Sequence, residues 1–178
     1  MELAPDFDEF IGSLTAHGVE FVVVGAYALA FHGAPRFTGD LDILIRPAHD
    51  NAARLLAALA AFGFPVTDLN PAAITERRRM LQMGVPPVQI HVMSAISGVE
   101  WDEAWSDRVE GSLGTQKVQF LGRNTYVRNK RAAGSPKDLV ATALGCGCML
   151  RSATKCPSWC PNCRCAAVWR WSRAGREA

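Results

Sequence analysis

Asp40 and Asp42 occupy alternate positions in an otherwise apolar run, Gly39-Asp40-Leu41-Asp42-Ile43-Leu44-Ile45. Side chains alternate across a strand, so an extended 40–45 segment sends both carboxylates to one face and Leu41, Ile43 and Ile45 to the other. One face is then suited to a core and the other to a charged site. Neighbouring carboxylates in a partly apolar setting repel, and a shared proton or a hard cation relieves the repulsion. Mg²⁺ matches this pair, because it needs only one or two protein carboxylates when substrate phosphates complete its octahedron. The plainer alternative makes Asp40 a turn residue after Gly39 and puts Asp42 on a solvated strand edge.

Upstream, Phe21-Val22-Val23-Val24 is short, wholly apolar and β-branched, and Gly18 and Gly25 bound it. That is the pattern of a buried central strand. Ala26-Tyr27-Ala28-Leu29-Ala30-Phe31-His32 follows, rich in helix formers and stopped by Gly33. A strand, a glycine and a helix start aim backbone N–H groups at an anion, and Gly25 leaves room for a phosphate to approach. Together with a metal-binding pair on the next strand, this describes a site for a nucleoside triphosphate and its Mg²⁺.

Val24-Gly25-Ala26, a spacer of thirteen residues and Asp40-Leu41-Asp42-Ile43 resemble the signature of the nucleotidyltransferase superfamily, a glycine pair followed by Asp-x-Asp. The longer stretch from Gly25 through His32-Gly33-Ala34-Pro35-Arg36-Phe37-Thr38-Gly39-Asp40 is similar to bacterial proteins related to the AbiEii toxins and the minimal nucleotidyltransferases. Lys130-Arg131-Ala132-Ala133-Gly134-Ser135-Pro136-Lys137-Asp138-Leu139 resembles a later segment of the same group. The resemblance spans roughly residues 18 to 140.

It implies transfer of a nucleoside monophosphate from an NTP to an acceptor hydroxyl, with Asp40 and Asp42 as metal ligands. Gly25 and Ala26 would lie along the phosphates, Arg36 would meet phosphate, and Thr38 would orient a carboxylate. Lys130 would reach the nucleotide from a position before the last helix, with Lys137 as the lesser candidate. RNA, a protein side chain and a small molecule all stay open as acceptor. The alternative implied function is a catalytically weak relative that binds nucleotide or a cognate partner protein in a toxin–antitoxin or defence pair.

The chain departs from that group in three places. Ala26 replaces the second glycine and adds a methyl group where phosphate approaches. In Val88-Gln89-Ile90-His91-Val92, His91 falls where the group carries a third aspartate. Strand phase puts Val88, Ile90 and Val92 on one face and Gln89 and His91 on the other. A neutral imidazole, with a reference pKa of about 6.5, suits a proton acceptor near neutrality better than a Mg²⁺ ligand. His91 therefore either converts the site to one metal plus a base or marks lost activity.

The third departure is the segment 146–178, which holds all six cysteines and carries net +5, against net −3 for residues 1–145. Cys160-Pro-Asn-Cys163 has knuckle spacing, and Cys156 and Cys165 would complete a four-thiolate Zn²⁺ site. The cramped gaps and missing apolar periodicity argue against a closed zinc module. Trp159, Trp169 and Trp171 among basic residues suit nucleic acid, but scattered tryptophans in a basic segment do not define a groove. The expected organisation is a nucleotidyltransferase-like domain over 1–145 and a disordered or atypical cysteine-rich tail.

With 49% apolar residues in 178, the chain can bury a full core. Met1-Glu2-Leu3-Ala4-Pro5-Asp6 does not resemble a signal peptide, and no run of 18 apolar residues exists to span a membrane. The lack of cysteine before residue 146 suits a cytoplasmic protein.

The remaining pattern predicts a helix ending at Gly18, opened by Asp6 and Glu9 as a capping box, with Phe7, Phe10, Ile11 and Leu14 inward. A second helix runs from about 48 to 61 with Ala52, Leu55, Leu56 and Leu59 inward. A third starts at Asn70-Pro71 and heads towards Arg77. Residues 80–83 and 88–93 form antiparallel strands about a turn at 84–87. Residues 100–108 form a helix with Trp101 and Trp105 packed on one side, 117–121 a strand, and Ser135-Pro136 opens a last helix. Arg77, Arg78 and Arg79 suit a wet helix face better than an RNA groove. The expected fold is α/β or α+β, a mixed sheet flanked by helices.

Overall fold

Phe21, Val22 and Val23 are almost wholly buried, because the strand they form, β1 (Phe21–Val23), has neighbours on both sides. The structure is a computed structural model that describes residues 4–35, 37–76 and 79–134. In chain order the elements are α1 (Pro5–Ala16), β1, α2 (Gly25–Phe31), β2 (Asp40–Ile45), α3 (His49–Ala61), α4 (Pro71–Thr75), β3 (Met80–Val85), β4 (Val88–Met93), α5 (Trp101–Ser106), β5 (Val109–Leu113), β6 (Gln116–Phe120) and α6 (Arg123–Ala133). The strands form one six-stranded sheet in the order β3-β4-β2-β1-β6-β5. It is mixed: β1–β2, β3–β4 and β5–β6 are antiparallel, whereas β2–β4 and β1–β6 are parallel.

The expected α/β arrangement of a mixed sheet flanked by helices is therefore present. One continuous core joins the α1 stripe of Phe7, Phe10, Ile11 and Leu14, the inward face of β2 at Leu41, Ile43 and Ile45, and Ala52, Leu55, Ala58 and Leu59 of α3. Leu56 is only half-buried at its margin. Fully burying an aliphatic side chain contributes about 1.5–3 kcal/mol, so this triad of elements supplies much of the drive for collapse. Among the described residues, no helix is long and apolar enough to cross a membrane.

Local starts and stops differ from expectation in physically legible ways. Asp6 and Glu9 do not form a capping box: Ala4 is the N-cap and Pro5 opens α1, its fixed φ suiting the first helical position. The capping box instead opens α5, where Glu100 and Glu103 each accept from the other's backbone amide. Asn70 caps α4 as expected, its Oδ1 accepting the Ala73 amide at 2.7 Å, but α4 ends at Thr75. β3 runs on to Val85, so Pro86-Pro87, joined by a cis peptide bond, turns the hairpin. β5 and α6 had no counterpart in the expected pattern. The expected last helix from Ser135, Lys137 and the tail 146–178 lie outside the described residues.

Asn51 ties β1 to β2 at one end of the pair. It is fully buried; its Oδ1 accepts the Glu20 amide at 2.8 Å, and its Nδ2 donates to the carbonyls of Glu20 at 3.0 Å and Arg46 at 3.1 Å. Glu20 precedes β1 and Arg46 follows β2, so one side chain serves the backbone at both strand ends. Asn51→Ala leaves the Glu20 amide without its acceptor, while the Glu20 and Arg46 carbonyls keep the amides of Arg46 and Ala48, and is expected to cost about 1–3 kcal/mol in urea unfolding. A loss below about 0.5 kcal/mol would show that water replaces the amide without penalty.

Candidate functional site

At the opposite end of β1 the chain passes from Val24, the N-cap of α2, into Gly25 with φ +62°. The next strand in the sheet runs antiparallel, and the Val24 amide donates to the Asp42 carbonyl at 2.9 Å. This brings the Asp42 side chain against Gly25: an ideal Cβ on Gly25 would lie 2.0 Å from Asp42 Oδ2. Only glycine meets both demands, the left-handed backbone and the space taken by a carboxylate oxygen.

The other side of Asp42 is set by β4. Its parallel register with β2 pairs Asp40 with Gln89 and Asp42 with His91. Burial alternates from Asp40 to Ile43 in β2, beyond which Leu44 is buried too, and in β4 Ile90 and Val92 are inward and Gln89 and His91 half-exposed. His91 Nδ1 lies 2.9 Å from Asp42 Oδ1, in side chains that retain only 17% and 24% of their exposure. Asp42 thus meets imidazole at one oxygen and lies with the other in the space that a side chain at Gly25 would need.

A cavity of about 420 Å³ opens on this corner, lined by Gly25, Asp42, Met93, Glu100, Asn129 and Lys130 among others. The 94–99 loop makes one wall, pinned to α6 by the Asn129 amide, which donates to the Ser97 carbonyl at 2.9 Å. α6 is itself anchored. Asp107 Oδ2 accepts the Thr125 amide at 3.0 Å and its hydroxyl at 2.9 Å, and Arg128 pairs with Glu103 at 2.6 Å. Lys130 belongs to the interior of α6 rather than to a segment before a helix, and its Nζ lies over the Tyr126 ring at 5.6 Å. It reaches the cavity from that helix.

The other expected site residues are distributed differently. Asp40 is half-buried beside this corner but does not line the cavity. Its charge acts on Tyr27 of α2, whose hydroxyl is pushed above its usual ionisation range, first by burial and second by Asp40. Ala26 is buried in the first turn of α2. Thr38 orients backbone rather than a carboxylate: its Oγ1 accepts the Asp40 amide at 3.2 Å and lies 3.3 Å from the Asp40 carbonyl. His32 ends α2, and its Nε2 meets the Leu121 carbonyl at 2.8 Å, away from Asp42. Arg79 is on the surface and paired with Glu76 at 2.7 Å, whereas Arg36, Arg77 and Arg78 lie outside the described residues. Glu100 and Asn129 line the cavity without any motif that announces them.

Among the described residues, no group of three or more His, Cys, Asp or Glu side chains is placed to hold a metal. The carboxylates of Asp40 and Asp42 are hard oxygen donors on one strand face. This donor set fits a hard divalent cation that takes most of its ligands from phosphate and water. His91, engaged to Asp42 through Nδ1, does not extend the set through that nitrogen.

No protein-family model matches the chain. No curated protein matches it either. Among solved structures the chain is similar to a Thermotoga maritima protein provisionally described as a nucleotidyltransferase, at 12% identity and a TM-score of 0.49, over 75% of this chain and 88% of that one.

The electrostatic link between Asp40 and α2 is open to direct measurement. Asp40→Asn is expected to lower the ionisation of Tyr27 while leaving it above the ordinary value near 10, because burial remains the larger cause. Absorbance titration of tyrosinate in a Tyr126→Phe background isolates Tyr27, since the chain has two tyrosines. An unchanged titration would place Asp40 too far away to act on the site.

Proposed function

We propose that the cavity beside Asp42 handles a nucleoside triphosphate and that the protein transfers a nucleoside monophosphate to an acceptor hydroxyl. The observation that carries this reading is the packing of the Asp42 carboxylate against a glycine whose side chain space it fills, on the motif that resembles the nucleotidyltransferase signature. Gly25 makes room for the Asp42 carboxylate at the edge of the cavity, and Lys130 brings a cation to the same cavity. Asp40 and Asp42 would hold Mg²⁺, which when bound neutralises the triphosphate and the departing pyrophosphate.

The chain's own residues account for orientation and proton transfer. Transfer forms a bond from the acceptor oxygen to the α-phosphorus and breaks the bond to the β-phosphate, releasing pyrophosphate. The acceptor's proton goes to His91 or to a water it orients. With Nδ1 on Asp42, Nε2 is the nitrogen left for that role, and it would act from beside the cavity, since His91 is not part of its lining. Thr38 fixes the Asp40 backbone, and the family resemblance gives Arg36 the part of meeting phosphate.

A second reading has its own support in the same contact. An imidazole stands where the resembled group carries a third carboxylate, and it occupies one oxygen of Asp42. That favours a weak or inactive relative that binds nucleotide, within a toxin–antitoxin or defence pair, over a full two-metal enzyme.

Asp42→Asn is expected to abolish Mg²⁺-dependent NTP binding in isothermal titration, a loss of at least about 100-fold in affinity, worth about 2.7 kcal/mol. Unchanged affinity would remove the site from this corner. His91→Asp is expected to raise transfer of α-phosphate label from NTP to total cell RNA or protein by about tenfold if the histidine has weakened a two-metal centre. Lower transfer in that variant, with binding intact, would instead make His91 the working base.

A further inference from the structure

Among the described residues two asparagines are buried, and the protein uses them differently. Asn51 spends both ends of its carboxamide: the oxygen accepts one amide, and the nitrogen donates to two carbonyls. Asn129, nine-tenths buried in the interior of α6, spends one end only. Its Nδ2 donates to the Ser97 carbonyl at 2.9 Å, and its Oδ1 accepts nothing from the described residues. Buried carboxamide oxygens are ordinarily paired, and one left open costs free energy until a donor reaches it.

The direction of this carboxamide is fixed. Turning it over would set an oxygen against the Ser97 carbonyl oxygen, so the nitrogen keeps that side and the oxygen the other. The loop that carries Ser97 is packed on α6, where a Cβ at Gly98 would lie 2.5 Å from the Ala132 Cβ. Pinning that loop requires the N–H alone, and asparagine is among the weaker residues for a helix interior. The oxygen is therefore unexplained by the pinning role. Asn129 lines the same cavity of about 420 Å³ as Gly25, Asp42 and Lys130, and its oxygen is not sealed inside the protein.

The other polar side chains of the lining are engaged or reach water. Asp42 meets His91, Glu100 caps α5, Lys130 Nζ lies over the Tyr126 ring, and Ser97 is exposed. We infer that Asn129 Oδ1 reads the nucleoside, accepting a hydrogen bond from a donor group on the bound nucleotide. This rests on the nucleotide reading of the cavity and goes one step into it. An ionised triphosphate offers acceptors only, so the donors of an NTP are its ribose hydroxyls and the exocyclic amino group of its base. The oxygen thus assigns the nucleoside to the α6 wall and leaves the phosphates to the end of the cavity at Gly25 and Asp42. A buried acceptor rejects an analogue that lacks the matching donor, because the acceptor is then left unpaired.

The test titrates the full chain with ATP, 2′-deoxy-ATP, 3′-deoxy-ATP and purine riboside triphosphate, each with Mg²⁺, in a calorimeter. The three analogues lack, in turn, the 2′-hydroxyl, the 3′-hydroxyl and the exocyclic amino group. At least one is expected to bind about tenfold more weakly than ATP, and it identifies the donor. In Asn129→Ala that analogue and ATP are expected to bind equally, both at the lower affinity. A side chain that served only to hold the loop would weaken all four nucleotides alike and leave their ratios unchanged. In the natural protein the Asn129 side-chain amide signals in proton–nitrogen correlation spectra are expected to shift with ATP and much less with that analogue, a readout that does not depend on the variant folding.

Equal affinities for all four nucleotides, or a discrimination that survives Asn129→Ala, would overturn the inference and leave the nucleotide reading standing. Failure of ATP itself to bind with Mg²⁺ would end both.

Discussion

The approach of the Asp42 carboxylate to the Gly25 backbone is the constraint around which this end of the molecule is arranged. It requires a strand to stop, the chain to take a left-handed step, and a short helix to begin within three residues. It also requires the antiparallel neighbour to arrive in a register that sets an aspartate, and no bulkier arrangement, beside that step. A buried carboxylate oxygen without a donor is costly, and here one oxygen meets His91 while the cavity keeps the group partly in contact with solvent. The geometry preserves a negative charge at a place where a glycine exposes backbone.

Sheet topology supplies the other half. β1 and β2 meet as a direct antiparallel pair, whereas β2 and β4 are parallel, so His91 reaches Asp42 only after the chain has passed through α3, α4 and β3. Parallel pairing needs such a crossover, and its helices cover the sheet. α3 contributes twice. Its apolar side fills the core under Leu41, Ile43 and Ile45, and its Asn51 holds the far ends of β1 and β2 together. The corner at Asp42 is thus built on strands, while α6 and residues 94–99 add a lysine and a short loop to it.

The parts of this design that sequence reveals are those where burial enforces a period. The alternation of Asp40 through Ile43, the apolar block at 21–24, the α1 stripe and the glycine punctuation at Gly18, Gly25 and Gly33 each have a structural cause that leaves a mark in composition. β5 and α6 leave little mark. β5 is an edge strand with largely exposed residues, Val109-Glu110-Gly111-Ser112-Leu113, so nothing forces alternation on it. α6 buries Thr125, Tyr126 and Asn129, a stripe that is mostly polar. Its start is fixed by Asp107, a cap supplied from 18 residues upstream, which no local motif discloses. For the same reason Glu100 and Asn129 emerge as cavity residues only when the 94–99 loop and α6 are brought together. The phase of His91 was legible, but its partnership with Asp42 depends on the β2–β4 register, which strand patterns alone do not determine.

Phosphorus-31 NMR of ATP with Mg²⁺ and stoichiometric protein, comparing the natural sequence with Gly25→Ala, reads the Gly25–Asp42 contact at the nucleotide itself. A methyl group at Gly25 displaces the Asp42 carboxylate. If that contact builds the nucleotide site, the phosphate resonances broaden and shift with the natural protein and stay those of free ATP with Gly25→Ala, while cooperative thermal unfolding is retained. Equal perturbation of the phosphates by both proteins would remove the nucleotide from this corner.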